Sequence, residues 1–260
     1  MTSEKKPKIG IFGLTGCAGD QLQILNCEDE LIRLTQRLDI VDWVMVSSIN
    51  DHECHLDLAF IEGAVATERD LETLKAVRAR TDTLIAIGTC AVWGGLPAMR
   101  NDIPREVLQR EVYETDDSFL DSVEAHPVTA FVPVEFNLPG CPIERHEFIR
   151  LVQSVLAGTV PEFAKTPVCF ECKIKENLCR VLYYNEVCCG SMTRGGCGAR
   201  CSSHGVPCAG CRGVIEEPNY DANITMFADR GISWWEIALR MQNFSAPVWM
   251  KTDLEKEVKK

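Results

Sequence analysis

No stretch of this 260-residue chain stays apolar for the roughly 18–20 residues that a membrane-spanning helix needs. Positive charge is scarce: 27 Lys and Arg stand against 38 Asp and Glu, a formal charge of −11. That excess of acid argues against a nucleic-acid surface, which would need a basic face to meet phosphate. The opening residues, MTSEKKPKIGIFG, have neither an apolar leader nor a twin-arginine signal. No internal repeat or low-complexity linker breaks the chain. The glycines at 10, 13, 16 and 19 do not spell G-x-G-x-x-G, and no Walker lysine follows them, so a dinucleotide site is not expected. What is left is a soluble, cytoplasmic globular protein, with no nucleic-acid partner and no membrane span. Its 46% hydrophobic and 25% charged residues are ordinary for that class.

Cysteine is the exception. The chain has 14, and in a reducing cytosol that many thiols point to metal binding rather than disulfides.

The first 160 or so residues alternate strand and helix patterns. Lys8–Leu14, Val41–Val46, Leu56–Ile61, Thr83–Gly88 and, more weakly, Pro127–Pro133 read as strands. Asp20–Leu38, Glu68–Arg80 and Ile143–Leu156 read as helices. Strands separated by helices imply a parallel, doubly wound α/β sheet. A second region, 161–260, has a different character. Residues 169–211 hold nine of the cysteines, many glycines and no sustained period, so they are expected to fold around an inorganic core. A helix returns at Ser233–Met241, where Trp234 and Trp235 point about 100° apart and cannot both face one core.

Three cysteines of the first region share one structural position. Cys17 follows the first strand in GLTGCAGD, Cys90 follows TLIAIG, and Cys141 sits in LPGCPIE just before a helix. Open α/β sheets bind their ligands beyond the carboxyl ends of the strands, where residues distant in sequence converge. A lone cysteine there would be a small buried hydrophobe; three in glycine- and proline-rich loops suggest thiolate ligands. A cubane cluster needs a fourth. Asp20, three residues after Cys17, can supply a carboxylate or simply cap the helix that follows, and the residues alone leave both open.

The second set is Cys169-x2-Cys172-x6-Cys179, the adjacent Cys188 and Cys189, and Cys197-x3-Cys201-x6-Cys208-x2-Cys211. Eight of these nine would hold two cubanes. Neighbours in extended chain point opposite ways, so one of Cys188 and Cys189 should be spare. In order, Cys169, Cys172, Cys179 and one of that pair make one group, and Cys197, Cys201, Cys208 and Cys211 the other, although ferredoxin-like modules can exchange a late cysteine between clusters. Zinc knuckles also use C-x2-C pairs, but the irregular spacing from Cys179 to Cys208 and the separate thiolate set in the first region favour iron–sulfur. Cys27 and Cys54 are left unligated. His52, Cys54 and His55 are too tightly spaced for a tetrahedral cage and read as a solvated loop.

TGCAGDQLQIL, FIEGAV, IGTCAVWGG, LPGCPIE and TRGGCGARCSSHGVPCAGCRG, in this order, make the chain resemble, over nearly its whole length, the small electron-transfer subunit of soluble cytoplasmic nickel–iron hydrogenases. The resemblance implies a flavodoxin-like domain (1–160) holding a proximal cluster and a smaller cysteine-rich domain (161–260) holding two more, three 4Fe–4S clusters in all. It implies Cys17, Cys90 and Cys141 as proximal ligands. Asp20 stands where a second cysteine is usual, and some relatives use aspartate on that cluster. Relatives often read C-x-G-P-x-T-R-x-G-C where this chain has CCGSMTRGGC, which selects Cys188 over Cys189, with Ser191 departing from the usual proline. Glu62 in FIEGAV falls near the proximal site without a catalytic role. The implied H2-activating site lies in a separate large subunit, and a downstream flavin or iron–sulfur subunit takes the electrons. The rival family is the cluster subunit of complex I-type quinone oxidoreductases, whose tandem cysteine pair Cys17-Ala18 does not reproduce and which lacks a two-cluster appendage. A zinc-stapled scaffold protein is the rival from another class.

Overall fold

Aliphatic runs cut by turns and capped helices lay down a parallel sheet. The computed structural model describes residues 6–114 and 121–249. In it, β1 (Lys8–Gly13), β2 (Asp39–Asp42), β3 (Leu56–Glu62), β4 (Thr81–Ile87) and β5 (Phe136–Leu138) pair in parallel, in the order β2-β1-β3-β4-β5. This is the flavodoxin-like order, which places a crevice at the carboxyl ends of β1 and β3.

The helices of this part are α1 (Gly19–Leu25), α2 (Glu28–Thr35), α3 (Glu68–Ala79), α4 (Gly88–Trp93), α5 (Arg105–Tyr113) and α6 (Arg145–Leu156). One sheet face buries Ile11, Phe60, Ile85 and Ile87 against Ile24, Leu34, Phe148 and Leu151 of α1, α2 and α6. The other buries Ala59, Ile61, Leu84 and Ala86 against Leu74 and Val77 of α3 and Ala91 of α4. Burial on both faces is why β3 and β4 read as nearly unbroken apolar runs. A capping box between Thr67 and Asp70 fixes the start of α3.

Three expected elements differ. Asp20–Leu38 is two helices, because the chain turns at Asn26 and Cys27 and restarts on Glu28, Asp29 and Glu30, acids that suit a helix N-terminus. Leu22 and Ile32 are exposed as a result. The Val41–Val46 strand ends early, at Asp42. The Trp43 amide donates to Asn50 Oδ1 (2.7 Å) and its indole to Gln21 Oε1 (2.8 Å), which turns the chain outward. Pro127–Pro133 is not a strand but a 3-10 turn at Val128–Ala130; prolines at both ends deny it ladder donors. The fifth strand comes just after it, pairing Ile85 with Phe136.

Beyond Pro161 come α7 (Val168–Ile174), α8 (Arg180–Tyr184), α9 (Arg200–Ser203), α10 (Tyr220–Ala228) and α11 (Trp234–Trp249). The cysteine-rich segment is not without an apolar core. Val181, Cys189 and Met192 pack with Val214, Phe227, Ile232, Ile237 and Met241, so the two last helices bring most of that core. Trp93 joins this cluster and the sheet's, and α11 packs on α4 and on the 3-10 turn Leu96–Asp102. Trp234 packs on the C-terminal core while Trp235 faces solvent. No helix among the described residues is long and apolar enough to cross a membrane.

Candidate functional site

At the carboxyl end of the sheet, three loops meet. After β1 the chain passes Cys17, which is exposed, and enters α1 with Asp20 in its first turn. Asp20 is not the helix cap: that position is Ala18, in left-handed conformation. The Asp20 carboxylate is buried and accepts the Ile143 N–H at 2.8 Å from across the crevice. After β4, Cys90 lies in α4. After β5, Cys141 precedes α6. Burial pushes the Cys90 and Cys141 thiols up to about 11, and both also feel the negative charges of Asp20, Cys17 and Glu62. Burial likewise raises the Asp20 carboxyl to about 7, against the pull of the Ile143 N–H and with a further push from Glu62. The four expected ligands of this set therefore share one neighbourhood. Glu62, last residue of β3, is 2% exposed and accepts the Gln21 N–H at 2.9 Å, tying the end of β3 to α1.

A second group forms around α7 and α8. Burial pushes Cys169 up to about 12, with Cys188, Cys172 and Cys179 as the neighbouring negative charges. Cys188 in turn feels Cys179 and Cys172 and accepts the N–H of Cys208 at 3.2 Å. Cys189 points the other way, fully buried in the C-terminal core. A third group gathers Cys197, Cys201 and Cys211: burial takes Cys211 to about 12, and Cys197 and Cys201 add to that. Cys208 stands between the groups, packed near Cys172, Cys188 and Cys197 and feeling Cys189 and Cys188 ahead of Cys211. The first and third groups touch: the Cys141 N–H is directed at the Cys211 thiol, and the Thr89 hydroxyl donates to the Cys211 carbonyl. Among the described residues, no three of His, Cys, Asp and Glu come close enough to hold a single metal ion. His52 and His55 pair with Asp42 and Asp82 on an exposed loop, as expected.

Two acidic residues outside every expected ligand set organise these groups. Glu171, between Cys169 and Cys172, accepts the N–H of Gly196 (2.7 Å) and of Ala199 (3.2 Å), tying the second group to the third. Glu147 of α6 meets Arg212, the neighbour of Cys211, in a buried ion pair at 2.7 Å. Glu171 has a local signal, a charge set inside a C-x2-C motif; Glu147 has none of its own, only a partner, Arg212, that directly follows such a motif.

The family described as NADH ubiquinone oxidoreductase, 20 Kd subunit, matches residues 17–155. Relatives matching across more of the chain have different names. Sulfhydrogenase 2 subunit delta of Pyrococcus furiosus is 37% identical over 217 residues, 84% of this chain and 89% of its own. The chain belongs to the electron-transfer subunits of nickel–iron hydrogenases. A subunit of the vhu F420-non-reducing hydrogenase of Methanococcus voltae is 33% identical, over 82% of this chain and 84% of its own length. The iron-sulfur subunit of the F420-non-reducing hydrogenase of Archaeoglobus profundus is 24% identical, over 80% and 82%. Among solved structures, a chain of an NAD+-reducing NiFe hydrogenase in the H2-reduced state is similar at TM-score 0.56 and 29% identity, covering 61% of this chain and 96% of that one. An actinobacterial-type NiFe hydrogenase from Ralstonia eutropha H16 shares the fold at TM-score 0.60 and 14% identity, over 99% and 92%. An alignment of 217 residues cannot fit within the region ahead of the second cysteine set, so the hydrogenase relatives reach into it. This subunit serves as part of a multisubunit hydrogenase and relays electrons there.

The exposures of the thiols set an order of reactivity. In the cluster-free native chain, iodoacetamide should modify the exposed Cys17 first. Cys27 and Cys189 (3% and 0% exposed) should stay protected, both thiols being held above their usual range by burial. Peptide mass mapping reads this directly. Loading iron and sulfide should then protect Cys17; continued modification at the same rate would remove it from the ligand set.

Proposed function

We propose that this hydrogenase subunit carries electrons between the nickel–iron site of a cytoplasmic large subunit and a downstream flavin or iron–sulfur subunit, through three 4Fe–4S clusters. Cys17, Asp20, Cys90 and Cys141 hold the first. Cys197, Cys201, Cys208 and Cys211 hold the next in space, and Cys169, Cys172, Cys179 and Cys188 the last. The clusters, when bound, supply one-electron storage. The chain divides near residue 160 into a flavodoxin-like part with one cluster and a cysteine-rich part with two.

One observation carries this reading: three separate thiol groups lie in series, with the first joined to the next where Thr89, beside Cys90, donates its hydroxyl to the Cys211 carbonyl. The donor set suits iron–sulfur. The thiols are soft donors, buried so that their charged forms need a cation, and met by backbone N–H groups from Leu96, Cys208, Gly210 and Arg200, the kind of contact that tunes a cluster. A cube of irons also spaces its ligands more widely than a single ion does, which is compatible with thiols that gather without closing on one point. Exposed apolar side chains flank both ends of the series. Leu22 is exposed on α1, which follows Cys17, and Val44, Met45 and Ile49 are exposed in the loop after β2; Phe170 and Ile174 are exposed on α7, which carries Cys172, and Leu178 is exposed next to Cys179 in sequence. In the assembly, the large subunit covers the first patch and the downstream subunit the second.

Iron and acid-labile sulfide analysis of the anaerobically purified full chain tests the proposal. The expected content is about twelve of each, from three cubanes. Zinc with no sulfide would overturn it in favour of a stapled scaffold.

A further inference from the structure

Arg212 is the largest of the fully buried side chains, at 2% exposed. Its Nε donates to the Gly195 carbonyl at 2.9 Å. Its Nη2 donates to both carboxylate oxygens of Glu147, at 2.9 and 2.7 Å. Its Nη1 is buried and has no hydrogen-bond partner among the described residues. A buried guanidinium nitrogen with two N–H donors and nothing to receive them calls for an explanation. The surroundings supply one. Arg212 follows Cys211 in sequence, and its guanidinium packs on Gly195 and Gly196, the two residues that lead into Cys197. The guanidinium therefore sits against the ligand set of the middle cluster, clamped on one edge by Glu147 and Gly195.

We propose that Arg212 is the positioning and tuning residue of the cluster held by Cys197, Cys201, Cys208 and Cys211, donating Nη1–H to its sulfur. This rests on the ligand set proposed above and goes beyond it. Reduction adds one negative charge to the cluster. A fixed positive donor stabilises the reduced form more than the oxidised one, and charge-assisted hydrogen bonds are the stronger kind. Arg212 thus raises the potential of the middle step, and Glu147 aims the guanidinium.

Redox titration of the intact complex followed by EPR tests this with Arg212→Lys, which keeps a charge for Glu147 but loses the planar fork that spans two partners. The middle cluster should become harder to reduce by roughly tenfold, which is 59 mV for a one-electron couple, with the other two unmoved. Should that variant not fold, the double variant Arg212→Leu with Glu147→Leu removes the buried pair as a unit, which proteins tolerate better than breaking it, and should show the same downward shift. Pulsed EPR on wild type labelled with guanidino-15N arginine should show coupling to that cluster, absent from the lysine variant. Three assembled clusters with unchanged potentials, an equal shift in all three, or no 15N coupling would overturn the role of Arg212 alone. A wild-type spectrum lacking the middle cluster would overturn both this role and the ligand set beneath it.

Discussion

Replacing Gly88 with alanine should strip the first cluster from the chain and leave the other two. Gly88, just after β4, has φ at +81°, a left-handed conformation that a side chain strains. The added Cβ would also overlap Oδ2 of Asp20. Asp20 has little room to retreat, because it is buried and its other oxygen holds the Ile143 N–H. Overpacking of this kind costs about 1–3 kcal/mol. The larger consequence is at the site, since the displaced carboxylate and the strained start of α4 lie beside Cys17, Cys90 and Cys141. Iron and sulfide should fall by roughly a third, one cluster of three, with the remaining EPR signals intact. Full retention of iron and sulfide would show that Asp20 and its surroundings are dispensable. Adding Asp20→Ala to Gly88→Ala relieves the overlap and separates two roles for the aspartate. Recovery of folding without the cluster marks Asp20 as a ligand, whereas recovery of both marks it as a hydrogen-bond acceptor that only shapes the crevice.

The second large effect is on stability. Glu147→Ala leaves the Arg212 guanidinium buried without its counter-charge, the most costly way to disturb a buried pair, at about 3–5 kcal/mol. Glu147 itself is 0% exposed, so water cannot readily take the place of its carboxylate. The pair also joins α6 of the sheet region to the loop of the third cysteine group, so its loss loosens the seam between the first and middle clusters. The melting temperature should drop by about 10 °C, and the C-terminal signals should be lost on heating before the first. Replacing both partners with leucine should recover most of the loss. A single variant that melts within a degree or two of wild type would mean that water enters the seam and solvates Arg212.

The parts of the fold that were legible in the sequence are those where local pattern and burial agree. β3 and β4 are buried on both faces, and their aliphatic runs say so. α3 announces its start through Thr67 and Asp70. The placing of Cys17, Cys90 and Cys141 at strand ends followed from the alternation of strands and helices. Local pattern misleads where an apolar residue belongs to a turn or a surface. Leu22, Ile32, Val44 and Val46 are apolar and exposed, so their pattern alone runs two helices into one and extends β2 past Asp42. The apolar run from Pro127 to Pro133 suggested a strand, while the true edge strand was three residues long and too short to show a period.

The sequence by itself determined the chemistry on offer: thiols at ligand spacing, an aspartate at the C-x-x-C distance from Cys17, and strand–helix alternation that carries the first set to one edge of a sheet. Those are properties of composition and near-neighbour spacing, which local rules can read. Only the tertiary structure decided what lies against what. It set the Thr89 hydroxyl on the Cys211 carbonyl, tied Glu171 to Gly196 and Ala199, and brought Glu147 to Arg212 across the chain. Such contacts join residues dozens of positions apart, and they exist because burial forces polar groups to find partners wherever the packed chain brings them. No local pattern encodes that choice.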